Sequence, residues 1–207
     1  KIYRVNLMRR MSGQEFNSPF TSSPVASGFM NEISGVEQAC RIALWEKIPV
    51  EHGEELFTEK TVLVADSNFF DFFSFKLLSG DPLNVLAGPN SIVLTETAAN
   101  RIFGYSRPEY NRCIGQSLEF GNEKRVCTVT GICEDPPPNS HFHFSMILSM
   151  ESWDNSRSSI WVNNSLLTYI KLGEAIGQDH AESQIQALVK KHIGPQAEKY
   201  LGISFDE

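Results

Sequence analysis

A chain of 207 residues, 41% apolar and 21% charged, can bury one large core or two small ones. Its formal charge of −7 leaves no basic face for phosphate groups and no polybasic anchor for anionic lipid, which excludes nucleic-acid binding. No apolar run approaches the roughly 20 residues of a membrane helix, no signal peptide is evident, and the chain opens at Lys1 without Met, as a piece cut from something longer would.

Ile2, Arg4 and Asn6 alternate with Tyr3, Val5 and Leu7, which predicts a strand over Lys1–Leu7. Residues 11–22 are polar, with Gly13, Asn17 and Pro19, and read as a loop. Ser23 is placed to cap a helix with Pro24 in its first position. Val25, Ala26, Phe29, Met30 and Ile33 form that helix's apolar face, and Gly35 stops it. Val36–Ile48 and Glu55–Ala65 read as strands joined by a turn around Glu51-His52-Gly53.

Phe69–Leu78 is an aromatic–aliphatic cluster that ends in the turn Ser79-Gly80-Asp81-Pro82. Ser91–Leu94 fits a buried strand, and Thr95 is an N-cap. Ala98, Ala99, Ile102 and Phe103 stripe the following helix, and Gly104 ends it at positive φ. Ser117–Phe120 and Arg125–Cys133 make an antiparallel hairpin around Gly121-Asn122, with Gly115 as a turn residue before it. Gly131 within the second strand predicts a bulge or a close backbone approach. Pro136-Pro137-Pro138 cannot continue a ladder.

His141–Met150 alternates as a strand, 150–164 is a polar loop holding Trp153 and Trp161, and Leu166–Leu172 is another strand. Asp179 with Glu182 matches a capping box, Ile185, Leu188, Val189 and Ile193 give the next helix its apolar face, and Gly194-Pro195 ends it. Residues 196–207 are either a last strand or the lead into a membrane helix. The fold class is α+β: a discontinuous βαβ-type domain, residues 1–66 and 141–207, around an inserted small α+β lobe, residues 67–140.

Few residues suggest chemistry. His141 and His143 form an H-x-H whose side chains would share one strand face, as a zinc pair does, with Glu134 and Asp135 the only acids nearby. Asp66 and Asp71 flank the Phe cluster, either as an acid–base pair or, more simply, as groups at helix starts. Ser67, Ser91 and Ser140 lack a nucleophile elbow. Neither phosphate-loop glycine motif occurs, so the chain is not itself an ATPase. Catalytic, cofactor and metal residues are therefore assigned as none. Five Phe in seven positions (69–75) are core with a ring or two at an edge, or else a sticky surface. Trp153 and Trp161 are either contact anchors or pins for their loop. Cys127 and Cys133 share a strand face about 20 Å apart, too far to bridge. A bridge through Cys40 or Cys113 stays open beside the reading of all four as buried thiols.

The order of the central pieces carries a resemblance. FFDFF, L-x-G-D-P, S-I-V-L-T-E-x-x-A-x-R-x-F-G, I-G-Q-x-L and V-T-G-I-x-E-D-x-P-x-N-S-H follow one another between residues 69 and 141. This set resembles the extracytoplasmic core of MacB-like, FtsX-related ABC transporter permeases. The resemblance implies a porter-like outer domain with a sabre-like insert, in the periplasm, with membrane helices on both sides. It implies a non-catalytic domain that transmits ATP-driven motion for export of a peptide, drug, toxin or lipoprotein. The partners it implies are an ATP-binding subunit, a second permease copy, and a periplasmic adaptor with an outer-membrane channel; it brings no cofactor. The rival reading is a cell-envelope metal-binding or hydrolytic domain using His141 and His143.

Overall fold

A computed structural model describes residues 1–11, 14–173 and 178–202. The first elements are β1 (Ile2–Val5), β2 (Leu7–Met11), β3 (Gln14–Ser18), β4 (Thr21–Ser22), α1 (Pro24–Glu32), β5 (Val36–His52) and β6 (Glu55–Ala65). Then come α2 (Phe69–Phe73), β7 (Leu77–Ser79), β8 (Ser91–Thr95), α3 (Glu96–Phe103), β9 (Ser117–Phe120) and β10 (Arg125–Cys133). Last are β11 (Met146–Ser149), β12 (Asn164–Leu172) and α4 (Gln178–Leu201). The chain divides into two compact units, residues 1–41 with 154–207, and residues 42–153.

In the first unit β12 pairs antiparallel with β1, Ile2 facing Lys171, and with the two residues of β4. Val25, Phe29 and Ile33 of α1, Ile170 and Leu172 of β12, Ala181 and Leu188 of α4, and Trp161 form its core. Met30, expected on the buried face, is 43% exposed. Ser23 does not cap α1: its backbone is already helical, and its hydroxyl donates to the Asn155 carbonyl at 2.7 Å. Pro24 takes the first helical position as expected, where its missing N–H costs nothing. The described part of residues 11–22 is not a loop. Gln14–Ser18 pairs with Leu7–Met11 as a hairpin, and Thr21–Ser22 is a short strand. No apolar alternation announced the hairpin, because it adds no third strand and leaves Met8 and Phe16 exposed.

α4 also departs from expectation. Asp179 lies inside it rather than before it, and the helix passes Gly194-Pro195 to Leu201. Gly194 has no Cβ to clash with the proline ring, and the turn beyond is packed down through buried Ala197 and through Gln196, whose Oε1 accepts from the Trp161 amide at 2.7 Å. Of the undecided 196–207 tail, the described part continues this helix.

In the second unit β5 and β6 form a long hairpin, His52 facing Glu55. From β6 the order runs β11, β8, β10, β7, with β9 on β10. β6–β11 and β8–β10 are parallel, β11–β8 antiparallel. The central strands β8 and β11 are buried at every position, as strands covered on both faces must be. That is why Ser91–Leu94 reads as a short apolar run. β11 is shorter than the expected His141–Met150 strand: residues 141–145 approach it without pairing as part of it. β8, within the 67–140 stretch, pairs with β11 beyond that stretch, so the sheet continues across that boundary.

Thr95 caps α3 by accepting from the Ala98 amide at 3.3 Å, and Gly104 closes it with φ +72°. Gly131 marks a register shift in β10, where a Cβ would lie 2.9 Å from Val85 Cγ1 and 3.3 Å from the Ser79 carbonyl. Both are backbone duties, as expected.

Candidate functional site

The Phe cluster anchors the second unit. Phe69, Phe70 and Phe72 are buried, while Phe73 and Phe75 are half-buried. Phe69 stacks on Phe75 at 5.3 Å and meets Phe144 edge-on at 6.1 Å; Phe73 meets Phe142 at 5.3 Å. These rings tie α2 to the segment that leads into β11. The cluster is core with two rings at an edge.

That segment fixes the fate of the H-x-H. Phe142 and Phe144 point into the cluster, so His141 and His143, of opposite parity, are both exposed. They precede β11 rather than lie on it. The His141 ring lies 4.0 Å from that of Phe142. Ser140 is a turn residue whose hydroxyl accepts from the Phe142 amide at 3.1 Å. The two acids nearby have other duties. Asp135 takes the Thr97 hydroxyl at 2.5 Å and its amide at 3.4 Å, which satisfies donors at the start of α3. Glu134 pairs with Lys76 at 2.9 Å and Arg107 at 3.5 Å. The Lys76 hydrogen bond above all holds the Glu134 carboxyl below its usual range. Among the described residues, no three His, Cys, Asp or Glu side chains converge as metal ligands would.

The other candidates are also structural in placement. The Asp66 carbonyl accepts from the Phe69 amide at 3.0 Å, and Asp71 sits in the first turn of α2, where a negative charge suits the helix dipole. Ser91 opens buried β8, and Ser67 lies in the turn before α2. Trp153 meets Trp45 edge-on at 5.9 Å, and Trp161 is buried in the first unit, so both pin their loop. The four cysteines are buried thiols outside any disulfide; burial pushes the Cys127 thiol up to about 11 and Cys133 further.

Sequence reasoning missed two polar clusters. Glu59, 1% exposed, accepts from Arg101 of α3 and from the Ser145 hydroxyl, which ties β6, α3 and the approach to β11 together. The signal was there: Glu59 shares strand parity with Phe57 and Leu63 in β6, and a charge at an inward position needs a partner. The second cluster joins Glu32, Lys191, His192 and Trp161 in the first unit. No local motif announces it, because its members are distant in sequence. A cavity of about 300 Å³ beside β7 is lined by Leu78, Arg107, Pro108, Tyr110 and Asn111. The Arg107 guanidinium there also reaches Glu96 at 3.4 Å, so its charge is already balanced.

Comparison with known proteins gives one consistent result. The family model described as MacB-like periplasmic core domain matches residues 2–188. A permease-assigned domain from Porphyromonas gingivalis superposes with TM-score 0.79 at 23% identity, over 92% of this chain and 81% of that one. The periplasmic region of MacB from Actinobacillus actinomycetemcomitans gives 0.59 at 19%, over 80% and 71%. The extracellular domain of the noncanonic ABC-type transporter YknZ from Gram-positive bacteria gives 0.60 at 14%, over 99% and 96%. At these identities the superpositions establish the fold. No curated protein matches the chain.

Proposed function

The chain belongs to the family of MacB-like periplasmic core domains, the periplasmic part of an inner-membrane ABC transporter permease, and from that premise we propose that it is a non-catalytic mechanical element of export. ATP hydrolysis by a separate ATP-binding subunit would drive a pair of permease copies, and this domain would pass the motion to the periplasm. The cargo class is a peptide, a drug or a lipoprotein, handed to an adaptor and outer-membrane channel. Residues 67–140 would be the sabre-like lobe, and residues 1–66 with 141–207 the porter-like part.

The observation that carries this reading is the family match over residues 2–188, on a chain whose candidate chemical groups serve its architecture. Asp135 holds the start of α3, Glu134 is in ion pairs, and Ser140 shapes a turn. A mechanical element needs parts that keep their shape while a two-state arrangement moves them. Fully buried Phe69 and Phe72, and buried Glu59 with its ion pair to Arg101, supply such parts.

The test uses the whole transporter in vesicles. Phe69→Ala should lower export while nucleotide binding by the ATP-binding subunit is unchanged, and the isolated chain should turn over no ATP. ATP turnover by the pure chain that a substitution within it abolishes would overturn the proposal. So would stoichiometric zinc in the purified chain that His141→Ala removes, which would favour the metal-binding reading.

A further inference from the structure

The cavity beside β7 has one apolar side and one polar side. Leu78, the Pro108 ring and the buried ring of Tyr110 make the first; Arg107 and Asn111 make the second. Its volume of about 300 Å³ is at the small end of ligand pockets, which run from roughly 300 to 1,000 Å³. It therefore suits a group of one or two residues rather than a whole drug or a folded cargo. Tyr110 and Asn111 come from the short 3-10 helix Glu109–Arg112. Asn111 is anchored to β7, its Oδ1 accepting from the Ser79 hydroxyl at 2.6 Å. That bond uses one lone pair of the carboxamide. The second lone pair and both Nδ2 donors have no other partner among the described residues.

The charges around the polar side decide what it can hold. Arg107 meets two carboxylates through one nitrogen: Nη2 lies 3.4 Å from Glu96 and 3.5 Å from Glu134. Contacts that long leave much of a guanidinium with five N–H groups unused. The Tyr110 hydroxyl donates to the same Glu96 oxygen at 3.2 Å, and burial above all pushes that hydroxyl above its ordinary range, so it stays a donor. Lys76 takes Glu134 at 2.9 Å. Two cations and two carboxylates thus cancel. A ligand carboxylate would face Glu96 and Glu134, and a ligand ammonium would face Arg107 and Lys76, so the site opposes either charge. An uncharged acceptor meets no such opposition, and the N–H groups of Arg107 and Asn111 call for one.

We propose that this cavity binds one uncharged residue of an extended peptide, with an aliphatic side chain. The Asn111 carboxamide brackets that residue: Nδ2 donates to its carbonyl, and the second lone pair of Oδ1 accepts its N–H. Arg107 donates to the carbonyl of the residue before it. The aliphatic side chain lies against Leu78, Pro108 and the Tyr110 ring. A peptide backbone carries a strong donor and a strong acceptor at each residue without net charge, which is the pattern these walls leave open. The bond from Arg107 is charge-assisted and so the stronger contact. Among the cargo classes named above the inference selects peptide; for that biological use it rests on the export reading, while the binding itself does not.

The experiment is a chemical-shift titration of the ¹⁵N-labelled 207-residue chain with three probes of similar size. N-acetyl-leucinamide is uncharged, N-acetyl-leucine is an anion, and leucinamide is a cation in mild acid. The uncharged probe should give saturable shifts confined to the amides around Leu78, Tyr110 and Asn111. Its Kd should be on the order of 1–10 mM, as about a dozen non-hydrogen atoms allow. Each charged probe should bind at least about fivefold more weakly. Asn111→Asp keeps an acceptor for the Ser79 hydroxyl and loses the Nδ2 donors, so it should weaken the uncharged probe by about fivefold or more. The wild-type shift map does not depend on any variant folding. Absence of saturable shifts at these residues, equal binding of all three probes, or unchanged binding by Asn111→Asp would overturn the proposal. None of those results would touch the export reading, which transport in vesicles tests separately.

Discussion

Gly104 and Gly131 are both glycines of necessity, for different reasons. Gly104 sits in the left-handed region at φ +72°, its amide bonded to the Asn100 carbonyl at 2.8 Å, with open space where a Cβ would go. The penalty there is conformational, and Gly104→Val should cost on the order of 1–2 kcal/mol. Gly131 has no positive φ; its constraint is the Val85 methyl and the Ser79 carbonyl beside it. Gly131→Val should cost at least as much through overpacking, about 1–3 kcal/mol. Urea midpoints of the two variants check this, and a neutral Gly104→Val would defeat the capping argument. Asn, which tolerates left-handed φ, should rescue position 104 but not 131. Both glycines were legible in the sequence because turn and cap chemistry is local. Glu59 was legible only as an inward charge in want of a partner. His192 and Trp161, 31 positions apart by their numbers, meet only through tertiary packing.

At the scale of elements, β8, α3, β9 and β10 were readable nearly to the residue, because each is bounded by its own punctuation: Thr95, Gly104, Gly121, Pro136. The misreadings have physical causes. The β2–β3 hairpin leaves Met8 and Phe16 exposed, and its sequence carries no apolar alternation. β11 was overextended because Phe142 and Phe144 alternate inward before the ladder starts. α4 was cut short at Pro195, since proline usually ends a helix, yet here the packed turn beyond outweighs the lost hydrogen bond. This last point is testable. Pro195→Ala should restore a bond to the Lys191 carbonyl and raise stability by about 1–3 kcal/mol. Helical circular dichroism should be unchanged or slightly higher. A fall in stability would mean that the proline fixes a bend that α4 needs.

The whole chain poses a question of division. Turns and prolines placed the junctions near residues 67 and 140, whereas the compact units part at 41/42 and 153/154. Cleavage by a protease needs backbone that can leave its ladder and reach an active site. At 41/42 the chain is inside β5, a strand of 17 residues, and is protected there. Near 67 it passes from β6 straight into α2, whose rings are buried. Near 140 the exposed residues Pro137 and Pro138 lie just before exposed Asn139 and His141, and proline resists most proteases. The stretch 154–163 is different: Asp154, Asn155, Arg157, Ser159, Ile160 and Asn163 are exposed, and the stretch joins the ladder only when β12 begins at Asn164. Limited proteolysis with a broad-specificity enzyme should therefore nick first between 154 and 163. The two fragments should stay together on a sizing column, because β12 remains paired with β1 and α4 with α1. First cuts near 67 and 140, releasing a stable piece of that length, would show that the sabre-like stretch folds as a body of its own. The pairing of β8 with β11, and of β11 with β6, argues for the first outcome, since freeing the 67–140 stretch would break a ladder of fully buried strands.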